Sequence, residues 1–212
     1  RKNIKNFCGK PIITWSIEAA LNCTSFGRVI VSTDDDEIAE ISTQYGAEVP
    51  FKRSKSLSDD YTSTIPVIKN AIEWLEMNNE KVDSICCLYP TAPFIEESYI
   101  EQGLKKLIEH NASYSISVTS FPYPIQRAIK FTKNERLKMF FPENINKRSQ
   151  DLVKSFHDAG QFYWGKRSAW MKGERILDQN TVPVYIPRYK VQDIDNEEDW
   201  IQAERIFNKL RS

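Results

Sequence analysis

Ser84-Ile85-Cys86-Cys87-Leu88-Tyr89-Pro90-Thr91-Ala92-Pro93 decides the fold. Residues 84–89 form an uncharged, mainly apolar run, stopped by Pro90 and Pro93. A strand with one wet face alternates polar and apolar residues. A continuous apolar run instead fits a parallel sheet covered on both faces. Outward from it, Arg28-Val29-Ile30-Val31-Ser32-Thr33 reads as another buried strand, Tyr114 to Val118 as a third, and Ala47 to Phe51 as a short one. Between them lie helix-spaced segments: 11–24 opening on Pro11, 35–45 ended by Gly46, 63–78, and one defined by Ile100, Leu104, Leu107 and Ile108. This alternation predicts an α/β, three-layer core with a mostly parallel sheet.

The alternation breaks after Thr119. Residues 120–160 carry Pro122, Pro124, Pro142 and many charges, and read as an inserted arm or flap on a single domain spanning 1–212. Strand pattern returns at Gln161-Phe162-Tyr163-Trp164 and Val182 to Ile186. A last helix begins near Asn196 and uses Trp200, Ala203, Phe207 and Leu210.

Composition narrows the function classes. Twenty-nine basic residues balance twenty-nine acidic ones, which argues against a protein that coats nucleic acid. No apolar run approaches the roughly 20 residues of a membrane span. The cysteines, Cys8, Cys23, Cys86 and Cys87, show no C-x-x-C spacing, so reduced thiols in a cytoplasmic protein are expected rather than zinc or disulfides. Neither a Walker A motif, nor G-x-G-x-x-G, nor G-x-S-x-G occurs.

Ligands of open α/β sheets bind beyond the carboxyl ends of strands, which selects three places. Ser32, Thr33 and Asp34 follow one strand and face a ligand better than Asp35 and Asp36, which read as a helix start. Tyr89-Pro90-Thr91-Ala92-Pro93 follows another, its two prolines making a rigid turn that is either a ligand shelf or a plain connection. Asp193-Ile194-Asp195, taken as strand, puts both carboxylates on one face, a hard-oxygen pair suited to Mg²⁺. Asp195-Asn196-Glu197-Glu198 also reads as a capping box, which would explain Asp195 but not Asp193. His157, in Phe156-His157-Asp158-Ala159-Gly160-Gln161, draws more interest than His110, which follows a helix.

The order of several blocks resembles the cytidylyltransferases that activate nine-carbon acidic sugars. The blocks are Lys2-Asn3-Ile4; Gly9-Lys10-Pro11-Ile12-Ile13; Val31-Ser32-Thr33-Asp34 with Glu37-Ile38-Ala39; Arg53, Leu57 and Asp60; Leu88 to Pro93; and Asp193 to Trp200. Tyr89, Phe121 to Ala128 and His157 to Trp164 resemble the branch of that family acting on pseudaminic acid. The resemblance implies a Rossmann-like nucleotidyltransferase fold, transfer of CMP from CTP to the sugar's anomeric hydroxyl, Mg²⁺ as cofactor, and a homodimer built through the arm. It implies Asp193 and Asp195 as metal ligands, with Lys2 on phosphate. Asn3, Ser32, Thr33, Asp34, Arg53, Asp60, Tyr89, Pro90 and Thr91 are implied around the nucleotide. Gln126, Arg127, His157 and Gln161 are expected on the sugar side. Family members carry a strand and a Gly-rich, basic phosphate loop just before the Lys-Asn pair, so roughly 15–20 further residues are expected upstream of Arg1.

Overall fold

A computed structural model describes residues 1–211. In chain order it contains β1 (Asn6–Phe7), β2 (Lys10–Pro11), α1 (Ile12–Asn22), α2 (Asp36–Gln44), α3 (Thr64–Met77), β3 (Ser84–Leu88), α4 (Glu97–Glu109), β4 (Tyr114–Ser120), β5 (Ile129–Phe131), β6 (Leu137–Met139), β7 (Phe156–Lys166), α5 (Arg167–Lys172), β8 (Thr181–Tyr185) and α6 (Glu197–Arg211).

The central sheet has the order β3-β7-β4-β8. Its period-2 geometry sends alternate residues of the apolar run to opposite faces. Cys86 and Leu88 join Ile100 and Leu107 of α4 and Phe162 and Trp164 of β7 in one core. Ile85 and Cys87 join the opposite core, with Ile72 of α3, Tyr163 and Trp170. Helices therefore cover both faces, as the continuous apolar run requires. Burial pushes the Cys87 thiol up to about 12 and Cys86 well above its ordinary value. Reactive thiolates are thus disfavoured at both.

The sheet departs from the expected parallel pairing at β7. This strand runs antiparallel to both β3 and β4, whereas β8 lies parallel to β4. Three of the four strands share a direction. The reversal has a simple cause: a parallel return needs a crossover, usually a helix, and the 121–155 connection contains none. It carries instead the β5–β6 hairpin and short 3₁₀ turns.

Arg28–Thr33 also differs from expectation. It forms no ladder, only parallel bridges from Ile30 to Glu48 and from Thr33 to Lys52. Its hydrogen bonds, such as Val31 N to Glu48 O (2.9 Å) and Glu48 N to Val29 O (2.8 Å), tie it to 47–52 on one side. Val29 and Val31 pack on Ile13 and Ile17 of α1. Pro11, read as a first-turn residue, ends β2 immediately before α1.

A separate cluster places the chain's two ends together. Phe7, Ile12, Phe94, Ile194, Trp200 and Phe207 bury one another, with Phe7 edge-on to Trp200 (5.5 Å) and to Phe207 (5.3 Å). This cluster holds the 2–7 segment against the start of α6.

Candidate active site

Asp193 and Asp195 are exposed on either side of buried Ile194, in a segment outside any sheet ladder. Their common exposure therefore goes with the anchoring of Ile194 in the apolar cluster, not with strand geometry. The Lys2 ammonium donates to the Ile194 carbonyl and lies 3.9 Å from Asp195 Oδ1. Two of the three residues expected to meet phosphate and metal thus converge from opposite ends of the chain.

The capping reading of Asp195 is corrected. Asn196 Oδ1 accepts the Asp199 amide (3.0 Å), while Asp199 Oδ2 accepts the amides of Asp195 (3.0 Å) and Asn196 (3.1 Å). This is a reciprocal box with Asn196 as the cap and Asp199 three residues on. The Asp195 carboxylate is left free of helix-capping duty. Among the described residues no group of three or more His, Cys, Asp or Glu converges as a metal cage. Two exposed carboxylates without further protein ligands are chemically suited to a hard cation such as Mg²⁺, which would take its remaining oxygen ligands from outside the protein.

A second cluster forms behind residues 32–34. Arg53 Nη1 donates to the Ser32 carbonyl (3.1 Å), its Nε donates to Ser58 Oγ (3.0 Å), and its Nη2 lies 3.7 Å from Asp34 Oδ1. Thr33 is buried and its hydroxyl accepts the Asp35 amide (3.1 Å). Ser32 Oγ is buried with no partner among the described residues. Asp35 is the cap of α2, accepting the amides of Glu37 (2.9 Å) and Ile38 (3.0 Å). Those amide bonds, with Arg1 beside them, hold its carboxyl below the usual carboxylate range. Asp60 sits exposed on a turn closed by its neighbour Asp59, which accepts the amides of Tyr61 and Thr62.

The third cluster lies where β3 meets β7. Tyr89 N donates to Gln161 O (2.9 Å), and the Tyr89 carbonyl accepts Ser16 Oγ of α1 (2.8 Å). Pro90 and Thr91 follow, half-buried. Gln161 is buried; its Nε2 donates to Lys190 O (2.7 Å) and its Oε1 has no partner among the described residues. The β4–β7 register shifts here, pairing Ile116 with Tyr163 but Val118 with Asp158. Gly160, at φ +62°, makes the bend, and Ser117 Oγ accepts the amides of Gln161 (3.2 Å) and Phe162 (3.1 Å). His157 lies beside it, its Nδ1 on the Asp158 carbonyl (2.8 Å) and its ring 4.7 Å from Phe121.

Gln126 and Arg127 are held within the arm, the former donating to Val153 O (3.0 Å) and the latter to Lys147 O. No hydrogen bond joins either to His157 or Gln161 among the described residues. Asn3 lies in the 3₁₀ turn 2–4, next to Lys2. Sequence reasoning missed Asp158 and Tyr163, which the bulge brings together: Tyr163 OH donates to Asp158 Oδ2. Five residues apart, they share no face of a regular strand. The available signal was Gly160 inside a strand pattern.

The cytidylyltransferase family profile matches residues 1–163. The chain belongs to this family. It is a CTP-dependent nucleotidyltransferase. It is 44% identical over 210 residues to the pseudaminic acid cytidylyltransferase of Campylobacter jejuni, covering 99% of this chain and 90% of that protein. It is 33% identical over 193 residues to a Helicobacter pylori protein named pseudaminic acid cytidylyltransferase and UDP-2,4-diacetamido-2,4,6-trideoxy-beta-L-altropyranose hydrolase, covering 91% of this chain and 37% of that one. Among solved structures, CMP:2-keto-3-deoxy-manno-octonic acid synthetase complexed with CTP superposes with a TM-score of 0.71, covering 99% of this chain and 92% of that one. At 13% identity that likeness speaks for the fold alone. The expected Rossmann-like nucleotidyltransferase architecture is therefore borne out, with the reversed β7 as part of it.

Proposed function

We propose that this cytidylyltransferase transfers CMP from CTP to the anomeric hydroxyl of pseudaminic acid and releases pyrophosphate. The observation that carries the reading is the 44% identity, over nearly the whole chain, to the Campylobacter jejuni enzyme. The meeting of Lys2 with Ile194 and Asp195 supports the chemistry. The hydroxyl oxygen forms a bond to the α-phosphorus, the bond from that phosphorus to the bridging oxygen of pyrophosphate breaks in line, and the hydroxyl proton passes to solvent water. Such transfers depend on positioning and charge neutralisation.

Lys2 supplies positive charge beside the reacting phosphate, oriented by its bond to the Ile194 carbonyl. Asp193 and Asp195 would hold Mg²⁺, which when bound neutralises phosphate charge and acidifies a nearby hydroxyl. Asn3, Ser32, Thr33, Asp34, Arg53 and Asp60 are assigned to the nucleotide, with Pro90 and Thr91 as a rigid shelf. His157 and Gln161 are assigned to the sugar. Gln126 and Arg127, on the arm, are assigned to the sugar through arm movement or a second copy.

The arm exposes Ile129, Phe131, Leu137, Phe140 and Ile145. Apolar surface on a projecting hairpin supports a homodimer, with a second copy as its cover. The four free thiols suit a reducing, cytoplasmic setting. No helix among the described residues is long and apolar enough to cross a membrane.

The deciding experiment incubates the protein with CTP, Mg²⁺ and either pseudaminic or sialic acid and follows pyrophosphate. Release with pseudaminic acid alone is the expected result. Equal release with sialic acid rejects the sugar assignment, and no release from folded protein rejects the reaction.

A further inference from the structure

One side-chain chain near the site has no part in the reaction just described. Asp158, at the bulge of β7, uses Oδ1 to accept the Gly160 amide (2.8 Å) and Oδ2 to accept the Tyr163 hydroxyl. Tyr163 is 7% exposed, and its ring meets that of Tyr89 edge-on at 5.4 Å. The two hydroxyl oxygens are 3.2 Å apart. Burial, then the bonds to Asp158 and Tyr89, push the Tyr163 phenol above its ordinary value, so it keeps its proton at neutral pH.

Proton counting gives this chain a direction. A carboxylate has only acceptor sites, and a phenol has one proton. Tyr163 spends its proton on Asp158, so in the Tyr89–Tyr163 contact Tyr89 must be the donor. The Tyr89 proton then points inward, and only its oxygen lone pair remains for anything outside. Tyr89 is half-buried at the carboxyl end of β3, where sheets of this kind hold ligands. The resemblance had put Tyr89 around the nucleotide, but its amide donates to the Gln161 carbonyl (2.9 Å) and its hydroxyl chain runs to Asp158, next to His157, so we reassign its phenol to the side given above to the sugar. No hydrogen bond links it to Ser32, Asp34 or Arg53 among the described residues.

We infer that Asp158 and Tyr163 are positioning residues that fix Tyr89 as a hydrogen-bond acceptor toward an N–H or O–H donor on the acidic sugar. The inference rests on the proposed reaction, because the sugar is its ligand. It predicts selection for a donor at one point of the sugar, since an analogue carrying only an acceptor there would face lone pair against lone pair.

Asp158→Asn tests the direction with little change in shape, since Asn can still accept the Gly160 amide. Its Nδ2 would donate to Tyr163, turning both phenol protons outward and making Tyr89 a donor. The expected result is a rise of about tenfold in KM for the sugar, with kcat and KM for CTP within about threefold. Tyr163→Phe cuts the chain, so Asp158→Asn added to it should change the sugar KM no further. An equal effect of Asp158→Asn in both backgrounds, or an effect on KM for CTP instead, overturns the inference. A readout without turnover separates failures: the ¹³Cζ resonance of Tyr163 in tyrosine-labelled protein should move upfield in Asp158→Asn. If wild-type protein releases no pyrophosphate, the functional reading fails and with it the sugar as ligand. An unmoved ¹³Cζ signal removes the chain itself, whatever the turnover.

Discussion

Two adjacent residues, Asp195 and Asn196, should give crossed phenotypes. Asn196 holds the helix end, whereas Asp195 holds only an exposed ion pair to Lys2 at 3.9 Å. Replacing an Asn cap with Ala costs about 1 kcal/mol. In a chain of this size that lowers Tm by about 2–4 °C. Asn196→Ala should therefore be measurably less stable and keep most of its turnover. Asp195→Asn removes a loose surface pair worth roughly 0–1 kcal/mol, so its melting should barely move. Its turnover should fall by on the order of 10²-fold, because neutralisation of transition-state charge is lost. Thermal melting and pyrophosphate release, measured on both variants at several Mg²⁺ concentrations, separate the roles. A Tm loss in Asp195→Asn matching that of Asn196→Ala would return Asp195 to the helix cap. Near-normal turnover of folded Asp195→Asn at saturating Mg²⁺ would refute the metal assignment.

Gly165→Ala should destabilise by about 1–3 kcal/mol, since a Cβ there would meet Trp170 Cε2 and Tyr114 Cδ1, each at 2.7 Å; urea unfolding with an unchanged midpoint would contradict it. Asp35, Glu48, Asp59 and Glu76 are all held below their ordinary 3.8 or 4.5, Asp35 chiefly by the Ile38 amide, Glu48 by Arg28, Asp59 by Thr62 and Glu76 by Arg167. Groups lowered in the folded state stabilise above those values and lose the contribution as pH falls below them. Stability should hold from pH 7 to about 5 and decline below about 4.5, and a rise in urea midpoint on acidification would contradict this. Cys86 and Cys87, half-buried and with thiols pushed up by desolvation, should resist alkylation at pH 8 in native protein and react on unfolding; rapid native labelling of either, read by peptide mass, would contradict the raised thiols. Phe131→Asp on the exposed hairpin should halve the solution mass if the arm forms the dimer, with melting nearly unchanged.

The layers were legible because residues 85–88 are apolar on both faces, a pattern that fits a strand covered on both sides. Strand direction was not, because direction depends on the connection, and the 121–155 arm shows no helix period from which to deduce a missing crossover. That Lys2 and Asp195 serve one site was expected only through resemblance; what brings them together is the packing of Ile194 with Phe7 and Trp200, which no local window contains. The cap was misplaced by one residue because Asp and Asn are comparable caps, and only the Asp199 contacts distinguish them. Asp158 and Tyr163 stayed hidden because a bulge changes which residues share a side, and a single glycine marks where but not how far.

Lys2 and Ile194 stand 192 positions apart. During synthesis at about 5–20 residues per second, roughly 10–40 s separate the emergence of one from that of the other. The charged corner of the site therefore does not exist on the nascent chain. A polypeptide that stops short of Ile194 lacks the carbonyl and the carboxylate that meet Lys2. Formation of that corner therefore waits on the C-terminal segment, whatever has folded before it.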